Sequence, residues 1–255
     1  MARRRQECAS DAPEWPAPGL AHGRAGVYRL GMTTVDGGLE ILHADDFLVA
    51  VRKPAGMATI AEAKGDADCL HARLERQSGR KLWIVHRLDK GVTGLVVFAC
   101  TADAHRWLNG RFEARDTVKR YQAVCHGAVE GESGVVELPL RIFGSGRTGP
   151  DPVNGKPSRT DWTVIGRSPA ATRLEIRLHT GRKHQIRAHL CAIGHPLLGD
   201  DRYGHVPEAA AFPRLMLHSW TLSVPLPSGQ VLGLECPPDA EFETLWGRCR
   251  GTAGV

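Results

Sequence analysis

Three polar segments interrupt apolar stretches of this chain, and each holds residues able to do chemistry. In the first, Val85-His-Arg-Leu-Asp-Lys-Gly-Val-Thr-Gly94, Asp89 sits at a glycine-bounded loop between Leu82-Trp-Ile-Val85 and the apolar run 94–99. A carboxylate there is half removed from water and needs a cation or several N–H donors to stay ionised. The plain alternative is an Asp that caps a turn, with Arg87 as a surface neighbour. In the second, Leu178-His-Thr-Gly-Arg-Lys-His-Gln-Ile-Arg-Ala-His189, a strand leaves through Gly181 and a helix begins among Arg182, Lys183 and Arg187. Free N–H groups at a helix start and three cations suit a phosphate or a carboxylate, against the alternative of a solvated basic face. In the third, Val118-Lys-Arg-Tyr-Gln-Ala-Val-Cys125, Tyr121 shares a strand face with Ala123 and Cys125. It is a core tyrosine unless its hydroxyl meets something polar in a pocket.

The elements that must position these residues follow from periodicity. Residues 39–51 hold two short apolar runs around Asp45-Asp46, the second stopped by Arg52-Lys-Pro-Ala-Gly56, which predicts a hairpin. Gly94-Leu-Val-Val-Phe-Ala99 predicts a strand covered on both faces. Thr101 is placed as the N-cap of a helix carrying Ala104, Trp107, Leu108 and Phe112, followed by a strand over 120–126. Residues 144–160 cluster Gly, Pro and polar side chains and read as one long loop; Gly144-Ser-Gly-Arg-Thr-Gly149 lacks the ending of a phosphate loop. Strict alternation over 173–179 predicts a half-buried strand, and Ile186, Leu190 and Ile193 a helix stopped by Gly194. Strands and helices without regular βαβ alternation predict an α+β fold on a mixed, mostly antiparallel sheet. Asp200-Asp201 is placed in a turn.

Composition narrows the function classes. The 255 residues are 42% hydrophobic and 24% charged, enough for one substantial core, and no run spans a membrane. The start lacks the apolar stretch of an export signal, so a cytoplasmic location is expected. Seven Cys without a C-x-x-C pair fit buried reduced thiols, and a zinc site built on His184, His189 and His195 lacks partners at familiar spacing. The formal charge of +5 permits a polyanionic partner. Residues 1–38 are a basic Pro/Gly-rich lead-in expected to be poorly ordered, 39–245 are expected to form a single domain, and 246–255 a tail.

The three segments together, in order and spacing, resemble the RluA-type pseudouridine synthases. The resemblance includes Leu48-Val-Ala-Val-Arg-Lys-Pro-Ala-Gly56, Gly155-Lys-Pro157, Gly194-His-Pro-Leu-Leu-Gly-Asp-Asp-Arg-Tyr-Gly204 and Arg214-Leu-Met-Leu-His-Ser219, and covers about residues 39 to 237. It implies an isomerase that turns a uridine of structured ribosomal or transfer RNA into pseudouridine by base flipping. Asp89 would be the attacking aspartate, Tyr121 the ring under the base and acceptor of the C5 proton, and Arg187 the cation beside the aspartate. Ile186 would lie against the base and Arg87 would enter the RNA where the uridine leaves. His86, Arg182, Lys183 and Gln185 complete the expected substrate contacts. The loop reads Lys90-Gly-Val-Thr-Gly94, where the family commonly has Thr-Ser before the glycine. The lead-in is too short and aperiodic for an S4-like module.

These roles agree with residue chemistry, because a desolvated carboxylate held ionised by an arginine is a competent nucleophile. The expected partner is an RNA stem-loop, with a monomeric enzyme, no metal, no organic cofactor and no membrane. Two competing readings are a catalytically inactive RNA-binding or RNA-folding factor of the same fold, and a nucleosidase. The first gives no reason to keep a costly buried ion pair; the second needs a further carboxylate to activate water.

Overall fold

A computed structural model describes residues 38–61, 68–204 and 212–251. Cys8 and most of the lead-in lie outside the described residues.

The predicted hairpin is present as β1 (Ile41–Ala44) and β2 (Leu48–Lys53), with Asp45 at the turn accepting the Phe47 and Leu48 N–H groups. β4 (Thr93–Ala99) is buried along its whole length. Its side chains alternate between two cores: Val96 and Phe98 pack with Val49, Val51 and Leu74, whereas Leu95, Val97 and Ala99 pack with Leu48, Ala50 and Leu108. The hydroxyl of Thr101 accepts the Ala104 N–H and caps α2 (Ala102–Ala114), as its position in the sequence predicts.

β5 (Val118–His126) lies between β10 (Ala171–Leu178) and β11 (Leu217–Pro225), antiparallel to both. With β6 (Ser133–Val136) and β9 (Thr160–Arg167), the main sheet runs β1-β2-β4-β11-β5-β10-β9-β6, while β3 (Trp83–Ile84) pairs with β4 and β12 (Val231–Glu235) with β11. Only β4 and β11 pair in parallel among the described strands, which makes the sheet mixed and mostly antiparallel. That parallel contact is close. Gly94 has φ +105°, and a Cβ on it would lie 2.2 Å from the Ser219 carbonyl oxygen, so only glycine fits.

Two stretches differ from the expectation. Residues 144–160 are not one loop: β7 (Leu140–Ile142) and β8 (Thr148–Pro150) form a two-stranded sheet, and β9 begins at Thr160. The hairpin is held by the Phe143 N–H to Arg147 carbonyl bond and by Leu140 packing with Ala188 and Tyr203, contacts no local pattern announces. The last helix, α4, is Ala240–Gly251 and continues across residue 245, where the sequence places the start of a tail; Phe242, Leu245, Trp246 and Cys249 are buried against Val124 and Met216. The remaining helices are α1 (Leu70–Ser78) and α3 (Gln185–Ala192), the latter ending before Gly194 at φ +88° as expected. No disulfide joins the described cysteines, and five of them are buried.

Candidate active site

Asp89 is turned outward by the burial of its neighbours. Leu88 and Val92 both enter the core, and the Val92 N–H closes a turn onto the Asp89 carbonyl at 3.0 Å. The Thr59 hydroxyl donates to the Leu88 carbonyl at 2.8 Å and accepts the Leu88 N–H at 3.1 Å. Beneath the loop, the wholly buried Lys53 donates to the carbonyls of Lys90 and Pro54. Burial brings the Lys53 ammonium down to about 7, against the opposing pull of the Asp89 carboxylate. The departure at 92–93 is thereby explained: Val92 fills the core, and the Thr93 hydroxyl meets His218 Nδ1 at 2.8 Å and accepts from Arg214.

The three segments converge. Asp89, Tyr121, Ile186 and Arg187 line one cleft of about 800 Å³, with Arg115 and Lys119 along its side. A second cleft of about 1030 Å³ adjoins the first at Asp89 and is lined by Arg87, Lys90, Lys183, Arg202 and Arg214. Asp89, Arg87 and Arg187 border both. Asp89 thus lies where two basic depressions meet, a geometry suited to a polyanion whose reactive unit reaches the carboxylate.

Arg187 approaches Asp89 with Nη1 at 3.6 Å, an ion pair too long for a hydrogen bond. Its short bonds go elsewhere: Nε and Nη2 donate to the two carboxylate oxygens of Asp200 at 2.8 and 2.7 Å. Asp200 is fully buried and also accepts the N–H groups of Arg202 and Tyr203. It therefore shapes the expected turn and also fixes Arg187, a role that the sequence reading missed. The Tyr121 ring lies in the core with its hydroxyl beside Ser219; burial pushes the phenol up to about 12, and the nearby Asp89 charge adds to this.

The remaining expected contacts divide. Arg87 and Lys183 are exposed at the cleft rims. Arg182 lines the first cleft and donates to the Pro157 carbonyl. Gln185 is buried, and its amide is taken up by Arg159, Thr160, Thr180 and Arg182, so it holds the start of α3. His86 borders the cleft, but its Nε2 accepts the Val97 N–H and its ring stacks on Phe112. Burial takes the His86 imidazole down to about 3. The three histidines weighed as zinc ligands point apart: His184 to Tyr203, His189 to Thr160 and the Leu138 carbonyl, and His195 to the His126 carbonyl.

A family model described as RNA pseudouridylate synthase matches residues 47–192. The chain is 40% identical over 217 residues to the ribosomal large subunit pseudouridine synthase D of Nitrosomonas europaea, covering 79% of this chain and 62% of that protein. It is 34% identical over 206 residues to the dual-specificity RNA pseudouridine synthase RluA of Haemophilus influenzae, covering 79% of this chain and 94% of that one. Among solved structures, human RNA pseudouridylate synthase domain containing 4 superposes with a TM-score of 0.69 at 25% identity, covering 82% of this chain and 92% of its own. Human RNA pseudouridylate synthase domain containing 1 shares the fold, with a TM-score of 0.70 over 88% of this chain and 99% of its own at 23% identity.

Proposed function

This chain belongs to the RNA pseudouridylate synthase family and is of the RluA type, and from that premise we propose that it isomerises a specific uridine in a structured ribosomal or transfer RNA, with Asp89 as the nucleophile. The observation that supports this most is the placement of Asp89 between two basic clefts, with Tyr121, Ile186 and Arg187 around it.

The clefts hold the phosphates flanking the target, and the uridine turns out of its stack to reach Asp89. Asp89, kept ionised by Arg187, either attacks the sugar C1′ or takes the C2′ proton to leave a glycal, while the N-glycosidic bond breaks. The base turns against Ile186 and Tyr121 and rejoins the sugar through C5 as the Asp89 carboxylate leaves C1′ or returns the C2′ proton, and the C5 proton passes to water through the Tyr121 hydroxyl, which gives up its own proton as it takes the C5 one. Nothing is oxidised and no water is consumed, so the reaction needs no electron carrier and no second carboxylate. Asp200, bound by Arg187 and two backbone N–H groups, is unsuited to activating water, which argues against a nucleosidase.

The test is to map pseudouridine across total RNA from cells with and without the protein, by carbodiimide adducts read as reverse-transcription stops. Loss of the stop at one or a few defined uridines is expected. An unchanged map would refute the activity and leave an RNA-binding factor.

A further inference from the structure

His184, which the reading above leaves without a role, has the ring nitrogen Nε2 3.7 Å from Asp89 Oδ2. Its backbone is left-handed, at φ 53° and ψ 25°, a region uncommon for residues other than Gly, in which Asn, Asp and His are enriched. Its other nitrogen, Nδ1, lies 3.1 Å from the Tyr203 hydroxyl. The oxygen of that hydroxyl accepts the Thr148 backbone N–H at 2.9 Å, and its single proton is free for Nδ1. The Tyr203 ring is flanked by two guanidiniums, Arg147 at 4.9 Å and Arg187 at 5.1 Å, and its backbone N–H is tied to Asp200. The turn at 200–203 therefore reaches Asp89 by two arms, Asp200 through Arg187 and Tyr203 through His184.

We propose that Tyr203 and His184 are positioning residues for Asp89: the Tyr203 hydroxyl donates to Nδ1, fixing the tautomer whose Nε2–H points at Oδ2 and turns the carboxylate toward the substrate. This rests on the reading of Asp89 as the nucleophile. Donor and acceptor stand apart by more than a hydrogen bond without RNA, and such contacts tighten when substrate closes the site. The imidazole is neutral as this role requires, since burial lowers it below its ordinary range, with Arg187, Lys183 and Arg202 acting in the same sense and Asp89 against it. The arrangement also links the β7–β8 hairpin, through Thr148, to the carboxylate.

The experiment compares His184→Gln, His184→Asn, Tyr203→Phe and Asp89→Asn by single-turnover isomerisation of the mapped RNA and by RNA affinity. Gln places an N–H donor where Nε2 stands; Asn does not, yet suits the left-handed backbone better. Tyr203→Phe keeps the ring between its two arginines and removes only the hydroxyl. Expected are a rate within about threefold of wild type for His184→Gln, a loss of about tenfold or more for His184→Asn and Tyr203→Phe, and RNA affinity within about threefold throughout. If His184 served only the backbone, Asn would be the better replacement. His184→Asn as fast as His184→Gln, or Tyr203→Phe at wild-type rate, overturns the proposal while Asp89→Asn remains inactive. If His184→Asn does not fold, Tyr203→Phe decides alone. Turnover by Asp89→Asn would instead overturn the nucleophile assignment itself.

Discussion

Arg187 gives its two short hydrogen bonds to the buried Asp200 and reaches Asp89 only at 3.6 Å with its remaining nitrogen. One arginine thus serves the buried Asp200, the exposed Asp201 at 3.4 Å and Asp89, the proposed nucleophile, and removing it affects all three. Arg187→Met leaves Asp200 buried and unpaired, which costs about 3–5 kcal/mol, or roughly 10 °C in Tm, and it also abolishes isomerisation. The double variant Arg187→Met/Asp200→Asn removes the stranded charge while Asn still accepts the turn N–H groups. Calorimetry is expected to show most of the stability restored, and the rate assay none of the activity. Recovery of activity in the double variant would show that the Arg187 charge is not needed at Asp89.

Arg87 is exposed between the two clefts, two residues from Asp89. Its guanidinium both stacks on bases and hydrogen-bonds, so it suits the space a flipped uridine leaves, an opening that costs a few kcal/mol in a stacked helix. Arg87→Ala is expected to slow single-turnover isomerisation strongly on a folded stem-loop and much less on an RNA whose target uridine is already unstacked. An equal proportional loss on both RNAs would assign Arg87 to general binding.

The Tyr121 phenol, pushed up to about 12 by burial, stays protonated through the neutral and mildly alkaline range. The wild-type rate is therefore expected to show no alkaline limb from this group between about pH 7 and 10. Tyr121→Phe keeps the ring and loses the hydroxyl proposed to relay the C5 proton to water. A fall of about a hundredfold in rate with RNA affinity within about threefold is expected, with a larger effect of deuterium at uridine C5. An unchanged rate would leave Tyr121 a stacking residue alone.

Stability has its own acid limit. Burial holds His86 at about 3 and His218 at about 4, both below the ordinary 6.5. For groups depressed on folding, the stabilising contribution is complete above about pH 6.5 and is lost as pH falls toward these values. Thermal unfolding is expected to show a decline across that window, on the order of a few kcal/mol for both together, and a shallower one in His86→Gln, whose amide oxygen still accepts the Val97 N–H. A pH-independent Tm from 6.5 to 4 would contradict the assignment.

Much of the fold was legible because local signals agreed with tertiary ones. The Asp45 turn, the doubly covered 94–99 run, the Thr101 cap and the Gly194 stop each carry a physical signature in sequence. α1 is marked only at its end, by Arg76 in the last turn and Gly79 at the C-cap with φ 63°; its N-cap position is Cys69, which offers no capping bond, and no acidic residue occupies its first turn. The β7–β8 hairpin is stabilised by Tyr203, more than fifty residues away, beyond any local pattern. At the site, Asp89, Tyr121, Ile186 and Arg187 were readable as a constellation, and they share one cleft. What sequence concealed was partnership. Asp200 looked like a turn residue and is one, and only the fold reveals that its second task is to hold Arg187, while Gln185, expected at the substrate, has its amide committed to the scaffold, as His86 has its Nε2.

The central claim is that the Asp89 carboxylate performs an isomerisation in which the base leaves and rejoins the same sugar. RNA carrying tritium at uridine C5 measures this directly, since rejoining through C5 releases that tritium to water. Wild-type protein is expected to release tritium in step with pseudouridine formed, without free uracil or abasic sites. Asp89→Ala is expected to release none while binding the RNA within about tenfold, a difference of roughly 1.4 kcal/mol at most. Tritium release by Asp89→Ala above trace contamination, or release of free uracil by the wild type, would contradict the account.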